Sequence, residues 1–501
     1  MFDREGKDIG VFAATGMIKS VATYLPATVF CRGISFVRGL IIAWFLARQT
    51  GQLGLLSVAL QVINIMAPLA SLGLGDAVTR YISKYEADGR LIGFLRQASA
   101  LVLGVTVCVS AILLIFSQPF AKYVFSTSSF STGEATRLAW ATVAAIIGVV
   151  LYSMTVAILR GLRSFTALAL MELTHGVLFL ILSIGAVLFV SRRAEAVIWA
   201  YLAAVLIPPL VWGWLMAGQL ACKSGRESSV VTRQMARQIL WFGLWTALAG
   251  LGWHGWQACS LWYLTKYDTA LHSDVFAAAR IIGQAIITVG MSLVAIIMTN
   301  VYVHWETGVR TRANFLLGVY TKLALLGLLI ACLVIVLLRN SIMILLPASL
   351  AGASAIMPQM VLFFFYGTAM TFLAINVALI EKMHLVLWSW LCGLLANGFL
   401  VWLWVGGPES LVWAANAAVW SCIPAMAMLI VMIRAQGQPV TAGIMVILGL
   451  SLLMLISNSM VASVLTTCLI GLGWATGVLF DQRERTFIVE TVSHYVSQKP
   501  E

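Results

Sequence analysis

Charge is scarce in this sequence. Asp, Glu, Lys and Arg make up 10% of its 501 residues, whereas 61% are hydrophobic. The mean hydropathy is +0.97. A soluble globular domain carries roughly 25% charged residues and keeps its apolar share near half. The composition therefore excludes a soluble enzyme or binding domain and predicts an all-α polytopic membrane protein.

Acidic residues are the scarcer charged class, with 19 Asp and Glu against 31 Lys and Arg, which gives a formal net charge of +12. A basic surplus of this size also occurs in nucleic-acid-binding proteins. Here, however, the Lys and Arg residues lie mainly in short loops between apolar runs, where they set the orientation of membrane spans. We therefore expect no nucleic-acid partner.

Several catalytic motifs are missing. The sequence has no P-loop for ATP phosphates, no HExxH zinc motif and no GxSxG nucleophile motif. Its eight cysteines form no CxxC pair and lie almost entirely in apolar runs, which indicates packing residues and no metal site or cofactor. The predicted outer loops are short, and a membrane-embedded sugar transferase or polymerase would need catalytic carboxylates in such a loop. Transport is therefore favoured over catalysis, and we expect no enzyme.

Hydropathy predicts about 14 transmembrane helices. The proposed organisation is an N-lobe of six spans (1–220), a cytoplasmic linker (221–238), a C-lobe of six spans (239–434), a C-terminal helix pair (435–480) and a cytoplasmic tail (481–501). The loops on one side hold most of the Lys and Arg residues, which places both termini in the cytoplasm. Six spans return the chain to the same side, so the two lobes would be parallel repeats.

The first predicted span, residues 21–47, carries Arg32 and Arg38 near its middle. An arginine in hydrocarbon is costly, so such residues normally face a wet cavity or a charged partner. We expect this helix to line a cavity that accepts an anion, and structural pairing with buried carboxylates is the alternative. Arg280 lies about two turns inside the eighth predicted span, where its side chain is able to reach the interface. Position alone assigns it no role.

Glu172 and His175 are three residues apart in the fifth predicted span, which places them on one face of that helix. They are candidates for a coupling proton relay or for a counter-charge to Arg32 or Arg38. An interhelical hydrogen bond at a packing seam explains the pair equally well.

The stretch GLGDAVTRYISKYEADGR follows the second predicted span. Asp76 is able to cap a new helix, and Val78, Tyr81, Ile82 and Tyr85 would form an apolar stripe. The pattern predicts an amphipathic helix on the inner membrane surface, with no role beyond that of a surface element.

An ordered set of motifs resembles a known family. The first span ends in FLARQTGQLGLLSVALQ and the second in LASLGLGDAVTRYISKYEADGR, and NVALIEKMHLVLWSWLCGLLANGFLVWLWVGGPESLVWAANA follows later, with Asn397 at a recurring asparagine. In this order they are similar to bacterial polysaccharide-exporting flippases. These are the O-antigen and exopolysaccharide repeat-unit translocases of the multidrug/oligosaccharidyl-lipid/polysaccharide (MOP) superfamily. The resemblance covers most of the chain.

The resemblance implies two six-helix lobes around a cationic cavity, two further C-terminal helices and alternating access. Related lipid II flippases place arginines in the first and eighth spans of that cavity, and Arg32, Arg38 and Arg280 occupy the matching spans here. An acidic residue that lipid II flippases have near the start of the second span is absent, since Gln52 stands in that region. Lipid II is therefore a less favoured cargo.

The resulting hypothesis is a flippase of the bacterial cytoplasmic (inner) membrane that moves a polyprenyl-diphosphate-linked oligosaccharide for polysaccharide biosynthesis. Its expected partners are this lipid-linked sugar, the membrane lipid, glycosyltransferases and a polysaccharide polymerase. Two alternatives stay open: a cation-coupled multidrug or small-molecule antiporter of the same superfamily, and a membrane-embedded sugar transferase or polymerase.

Overall fold

The protein is all-helical wherever its structure is described. A computed structural model describes residues 17–46, 52–87, 90–119, 132–223, 233–267, 270–344, 352–404, 409–456 and 458–497. Throughout these ranges the regular elements are helices. A helix satisfies almost all of its peptide groups within one segment, which is what a lipid environment demands. The predicted all-α class is confirmed.

The helices follow one another with short connections. The amino-terminal set is α1 (Met17–Leu46), α2 (Gln52–Ala70), α3 (Leu74–Ala87), α4 (Leu91–Ile115), α5 (Thr132–Gly161), α6 (Phe165–Gly185) and α7 (Ala194–Lys223). The following set is α8 (Arg233–Tyr267), α9 (Ala270–Glu306), α10 (Arg310–Leu337), α11 (Arg339–Met343), α12 (Ala353–Leu379), α13 (His384–Trp404), α14 (Ser410–Trp420) and α15 (Cys422–Ala435). The chain continues with α16 (Ala442–Ser451), α17 (Ser459–Thr476) and α18 (Gln482–Ser497).

Many of these helices have the length and composition of membrane spans. Among the described residues, ten helices are long and apolar enough to cross a bilayer. The number becomes eleven if Val62–Ala70 and Leu74–Glu86, which meet at a bend of 47°, form one span. The chain is therefore a multi-pass membrane protein, as predicted. The count of 14 spans and the cytoplasmic placement of both termini stay predictions.

Asn458 fixes the start of α17. Its side-chain oxygen accepts hydrogen bonds from the backbone N–H groups of Met460 at 3.1 Å and Val461 at 3.3 Å. These donors have no partner within the helix, and an asparagine N-cap is among the best ways to satisfy them. In the sequence, the polar residues 457–459 separate the last two apolar segments, and Asn458 caps the second of these.

The chain divides into two compact units. The first comprises Met1–His254 and Tyr302–Gly308, and the second comprises Gly255–Val301 and Val309–Glu501. Both α8 and α9 contribute to each unit, because the division falls inside these two helices. The predicted lobe bounds stay predictions, and residues 224–232 of the predicted linker lie outside the described residues.

Within the first unit, α5 is a central helix. It packs against α2, α3, α4 and α7. It can do so because small and branched apolar residues cover several of its faces, as the fully buried Ala139, Val143, Ile146 and Val150 illustrate. The helix that follows, α6, packs against α1 and α7.

The structure corrects the prediction for α3. A helix forms where the sequence indicates one, but it is not a surface element, since Val78, Tyr81 and Ile82 are almost completely buried. Its polar side is buried as well: Arg80 is 2% exposed, and the Thr79 hydroxyl donates a 3.1 Å hydrogen bond to the carbonyl of Ala157 on α5. The apolar stripe of α3 is buried, as its residues indicate. Its polar side also packs against protein, and hydrophobic periodicity does not reveal such a face.

Two glycines allow α8 to approach the break between α2 and α3. Gly73 has φ +62° and faces the backbone of Gly243, so a Cβ at Gly73 would overlap the Gly243 carbonyl. A Cβ at Gly243 would in turn lie 2.5 Å from the Leu72 carbonyl oxygen. Only residues without a Cβ permit this backbone contact.

The mutation Gly243→Ala should therefore destabilise the protein by about 1–3 kcal/mol, because backbone must move to admit the methyl group. Gly250→Ala is the matched control on the same helix, since a Cβ there meets nothing within 4 Å. It should be neutral or slightly stabilising, because alanine has the better helix propensity. Thermal unfolding of the purified variants measures both, and equal melting temperatures would contradict the close contact.

Within the second unit, α12 is the most enclosed helix that the described residues contain. Of the residues in its most apolar 18-residue segment, 94% are buried. The helix packs against α10, α14 and α15. Its 27 residues include no charged side chain, so other helices are able to surround it on every side.

Candidate functional site

A polar cavity lies inside the first unit. It has a volume of about 450 Å³ and is lined by residues of α1, α2, α3, α5 and α6. Small glycine, alanine and serine residues leave the space open, and side chains capable of hydrogen bonding line it. These are Ser35, Asn64, Ser71, Asp76, Thr79, Tyr152, Ser153, Arg160, Glu172 and His175.

Glu172 on α6 is the best-connected charged group of this cavity. Its carboxylate accepts a 2.6 Å hydrogen bond from the Tyr24 hydroxyl, and the Thr28 hydroxyl lies 3.5 Å away. Arg160 Nη2 is 3.9 Å from the same carboxylate. Arg160 closes α5 and Glu172 lies in the second turn of α6, so the short connection between these helices brings the two charges together.

His175 lies one turn beyond Glu172 and also lines the cavity. Its ring is 5.0 Å from that of Tyr152 on α5 and 6.2 Å from that of Tyr201 on α7. The structure thus brings Glu172 and His175 into one polar space. Whether they carry a coupling proton stays a prediction.

Arg38 contacts a different part of α6. Its guanidinium lies over the ring of Phe179 at 3.9 Å from the centroid, a cation–π contact. The partners of Glu172 given above are on α1 and α5, and Arg38 is not among the residues that line the cavity. The backbone of Arg32 belongs to α1, but its side chain lies outside the described residues.

Asp76 contributes a second carboxylate to the cavity wall. In the described part of the chain its side chain accepts no hydrogen bond and forms no ion pair, although it interacts electrostatically with Arg160. The acidic and basic side chains that line the cavity are thus Asp76, Arg160, Glu172 and His175.

Arg280 lies in the second unit and has a different environment. It is 6% exposed, and its Nη2 donates a 3.1 Å hydrogen bond to Oε1 of Gln257 on α8. Its Nε–H has no acceptor, and no carboxylate pairs with it among the described residues. A buried guanidinium with one neutral partner keeps its full charge available to an anion.

The sequence did not identify Arg160 or Asp76 as site residues. No role was predicted for Arg160, and Asp76 was expected only to cap α3. One signal was present: just three residues separate α5 from α6, so Arg160 had to lie near the start of the helix that carries Glu172. No comparable signal existed for Asp76. Within the described ranges, no three His, Cys, Asp or Glu side chains come together as a metal site.

Comparison with known proteins identifies the relatives of this chain. Residues 17–255 match the family described as polysaccharide biosynthesis protein. No curated protein matches the chain. Solved structures of MATE and MOP superfamily transporters share its fold.

A MATE transporter in a straight conformation is 14% identical, with a TM-score of 0.66 over 86% of this chain and 100% of that one. An outward-facing multidrug resistance MATE family transporter of the MOP superfamily is also 14% identical, with a TM-score of 0.67 over 86% of this chain and 99% of that one. A MOP superfamily transporter from Pyrococcus furiosus, whose binding pocket of reversed polarity suggests a different function, is 13% identical. Its TM-score is 0.66 over 86% of this chain and 100% of that one.

The family match covers slightly less than half of the sequence, and the shared fold extends over most of the chain. The family match agrees with the predicted resemblance to proteins of polysaccharide biosynthesis, and the solved structures show that the chain has the fold of MATE and MOP superfamily transporters.

Proposed function

We propose that this protein moves a polyprenyl-diphosphate-linked oligosaccharide from the inner to the outer leaflet of a bacterial cytoplasmic membrane. The family match supports cargo from polysaccharide biosynthesis. The observation that carries the anionic part of the proposal is Arg280, a buried guanidinium whose one hydrogen-bond partner among the described residues is neutral. A protein retains such a costly charge within a membrane helix when a ligand uses it.

The chemistry of the cargo fits this charge. A diphosphate linked to a lipid carries about two negative charges at neutral pH. An arginine binds phosphate oxygens through parallel N–H groups, and its weak hydration lowers the cost of stripping water from both partners. Arg38 would be a second cation on the path, held in place by Phe179. That Arg32 takes part in anion binding stays a prediction from the sequence.

The polar cavity of the first unit would hold the groups that couple transport to the movement of a proton. Protonation of Glu172 would weaken its ion pair with Arg160 and its hydrogen bond from Tyr24, and His175, which lines the same cavity, would be a second group able to bind a proton. Glycosyltransferases would supply the lipid-linked sugar on the cytoplasmic side, and a polymerase would consume it outside.

A cation-coupled antiporter of small molecules is the second candidate. The observation in its favour is the pair of carboxyl groups in the cavity: Asp76 and Glu172 both line it, and either would be able to bind a proton or an organic cation. The fold, which this chain shares with multidrug transporters, is compatible with either function.

Export by arginine variants tests the flippase proposal. In cells that depend on this protein, Arg280→Gln and Arg38→Gln should reduce surface polysaccharide by about tenfold or more, because binding of the diphosphate loses a charge-assisted contact. Lipid-linked precursor should accumulate in the cytoplasmic leaflet. Arg192→Gln is the matched control, since Arg192 is exposed and loses the same charge.

Normal export by both variants at normal protein levels would contradict the proposal. The antiporter is tested separately with purified protein in liposomes under a proton gradient. Gradient-driven efflux of a cationic dye that Asp76→Asn abolishes, without movement of the lipid-linked sugar, would establish the second candidate instead.

A further inference from the structure

Gln257 has an unusual place beside Arg280. Its side-chain oxygen accepts the one hydrogen bond that the structure shows for this guanidinium. Gln257 is partly exposed, whereas Arg280 is almost fully buried.

The segment of α8 that carries Gln257 is firmly held. The neighbouring indole of Trp256 is completely buried and donates a 2.9 Å hydrogen bond to the hydroxyl of Ser421. Ser260, one turn later, donates to the amide oxygen of Asn397 at 3.1 Å. Gly393 on α13 faces the Trp256 ring so closely that a Cβ would lie 2.6 Å from it. Successive residues differ by about 100° around a helix, so fixing Trp256 toward α13 fixes Gln257 toward α9.

The guanidinium keeps donors for a further ligand. Arginine has five N–H groups, and Arg280 uses Nη2 for Gln257, while its buried Nε–H has no acceptor in the described part of the chain. Buried polar groups are otherwise almost always hydrogen-bonded. An incomplete donor set on a buried cation is the arrangement expected of a site whose acceptor arrives with the ligand.

We propose that Gln257 determines the charge selectivity of the Arg280 site: its neutral amide orients the guanidinium without neutralising it, so that an oxyanion completes the remaining hydrogen bonds. The inference rests on the proposed function, because the oxyanion would be the diphosphate of the lipid-linked cargo. A carboxylate at position 257 would occupy the arginine permanently and repel the phosphate.

Two substitutions at position 257 should have opposite effects on stability and binding. Gln257→Glu would pair the buried charge, so the melting temperature should rise by about 2 °C or more while anion binding weakens by about tenfold or more. Gln257→Met keeps the length of the side chain but removes the acceptor. Its melting temperature should fall, and binding should weaken by no more than about threefold, because Arg280 loses the partner that orients it but keeps the charge that attracts the anion.

The experiment uses the purified full-length chain in lipid nanodiscs. The probe is inorganic pyrophosphate at low ionic strength, because salt then screens its attraction to the protein least. Calorimetric titration gives the affinity, and thermal unfolding gives the stability. Gln238→Glu is the matched control, since Gln238 is exposed on the same helix, and it should leave both values unchanged. Arg280→Gln should abolish the binding.

Each outcome decides one statement. Loss of binding in Arg280→Gln together with unchanged affinity in Gln257→Glu would overturn the role of Gln257 and leave the proposed function standing. A lower melting temperature in Gln257→Glu would overturn it also, since it would mean that Gln257 only maintains packing. Undiminished binding in Arg280→Gln would remove the anion site itself and contradict the proposed function.

Discussion

Replacing Arg80 by methionine should lower the free energy of unfolding by about 3–5 kcal/mol, because it leaves a buried carboxylate without its cation. Arg80 on α3 pairs with Glu306 at the end of α9, and their side chains are only 2% and 16% exposed. The same guanidinium lies 4.6 Å from the ring centroid of Tyr302. Methionine has a side chain of similar extended shape but makes neither of these interactions.

Thermal or denaturant unfolding of the purified variants measures the effect. Lys84→Met is the matched control, because Lys84 is one turn further along α3 and only partly buried. Lys84→Met should lower the free energy of unfolding by less than about 1 kcal/mol, because charges near the surface contribute little to stability. The double variant Arg80→Met/Glu306→Gln should recover part of the loss, since no unpaired charge remains. A stability of Arg80→Met equal to that of the control would show that the pair does not hold α3 to α9.

The class of the fold followed from the sequence because the bilayer leaves few options. A chain with so few charges must bury its peptide groups in helices, and the length of each apolar run is set by the thickness of the membrane. The polar turn at 457–459 was also visible, because its polar residues interrupt apolar segments. These features depend on local composition, which the sequence states directly.

The partners of buried charges did not follow from the sequence. Arg80 and Arg160 have ordinary neighbours in the chain, and nothing in the sequence around them indicates a partner on another helix. Their partners, Glu306 and Glu172, belong to other helices, and which helices meet is decided by packing. Glu172 and His175 were placed on one face correctly, because a spacing of three residues is itself a geometric statement.

For α3, the prediction placed the polar side of the helix in water, and this was wrong. Its apolar stripe predicted one buried face, and the polar remainder was assigned to water. In the structure the polar remainder is satisfied by protein groups, as shown by the hydroxyl of Thr79 on Ala157 and by Arg80 on Glu306. A helix with one apolar stripe is therefore not necessarily a surface helix in a membrane protein, since a second protein layer is able to replace water on its polar side.

The second large effect is expected at the carboxy-terminal helix α18. Its Glu484 accepts two hydrogen bonds from Lys322 of α10, both 2.7 Å long, and the two side chains are 5% and 6% exposed. Glu484 also closes a capping box with Asp481: each accepts a hydrogen bond from the backbone N–H of the other, at 2.9 and 2.7 Å. One carboxylate thus starts α18 and fastens it to α10.

Lys322→Met should therefore destabilise the second unit by about 3–5 kcal/mol, and Glu484→Gln by a similar amount, because each leaves one buried charge alone. The double variant Lys322→Met/Glu484→Gln should lose clearly less than the sum, since its buried groups are all neutral. Glu490→Gln, an exposed change on α18, is the control and should be neutral. Limited proteolysis tests separately whether the ion pair holds α18 against α10. If it does, both single variants should be cleaved near residue 481 before the rest of the second unit unfolds. Additive losses in the double variant would mean that Lys322 and Glu484 stabilise the protein independently of each other.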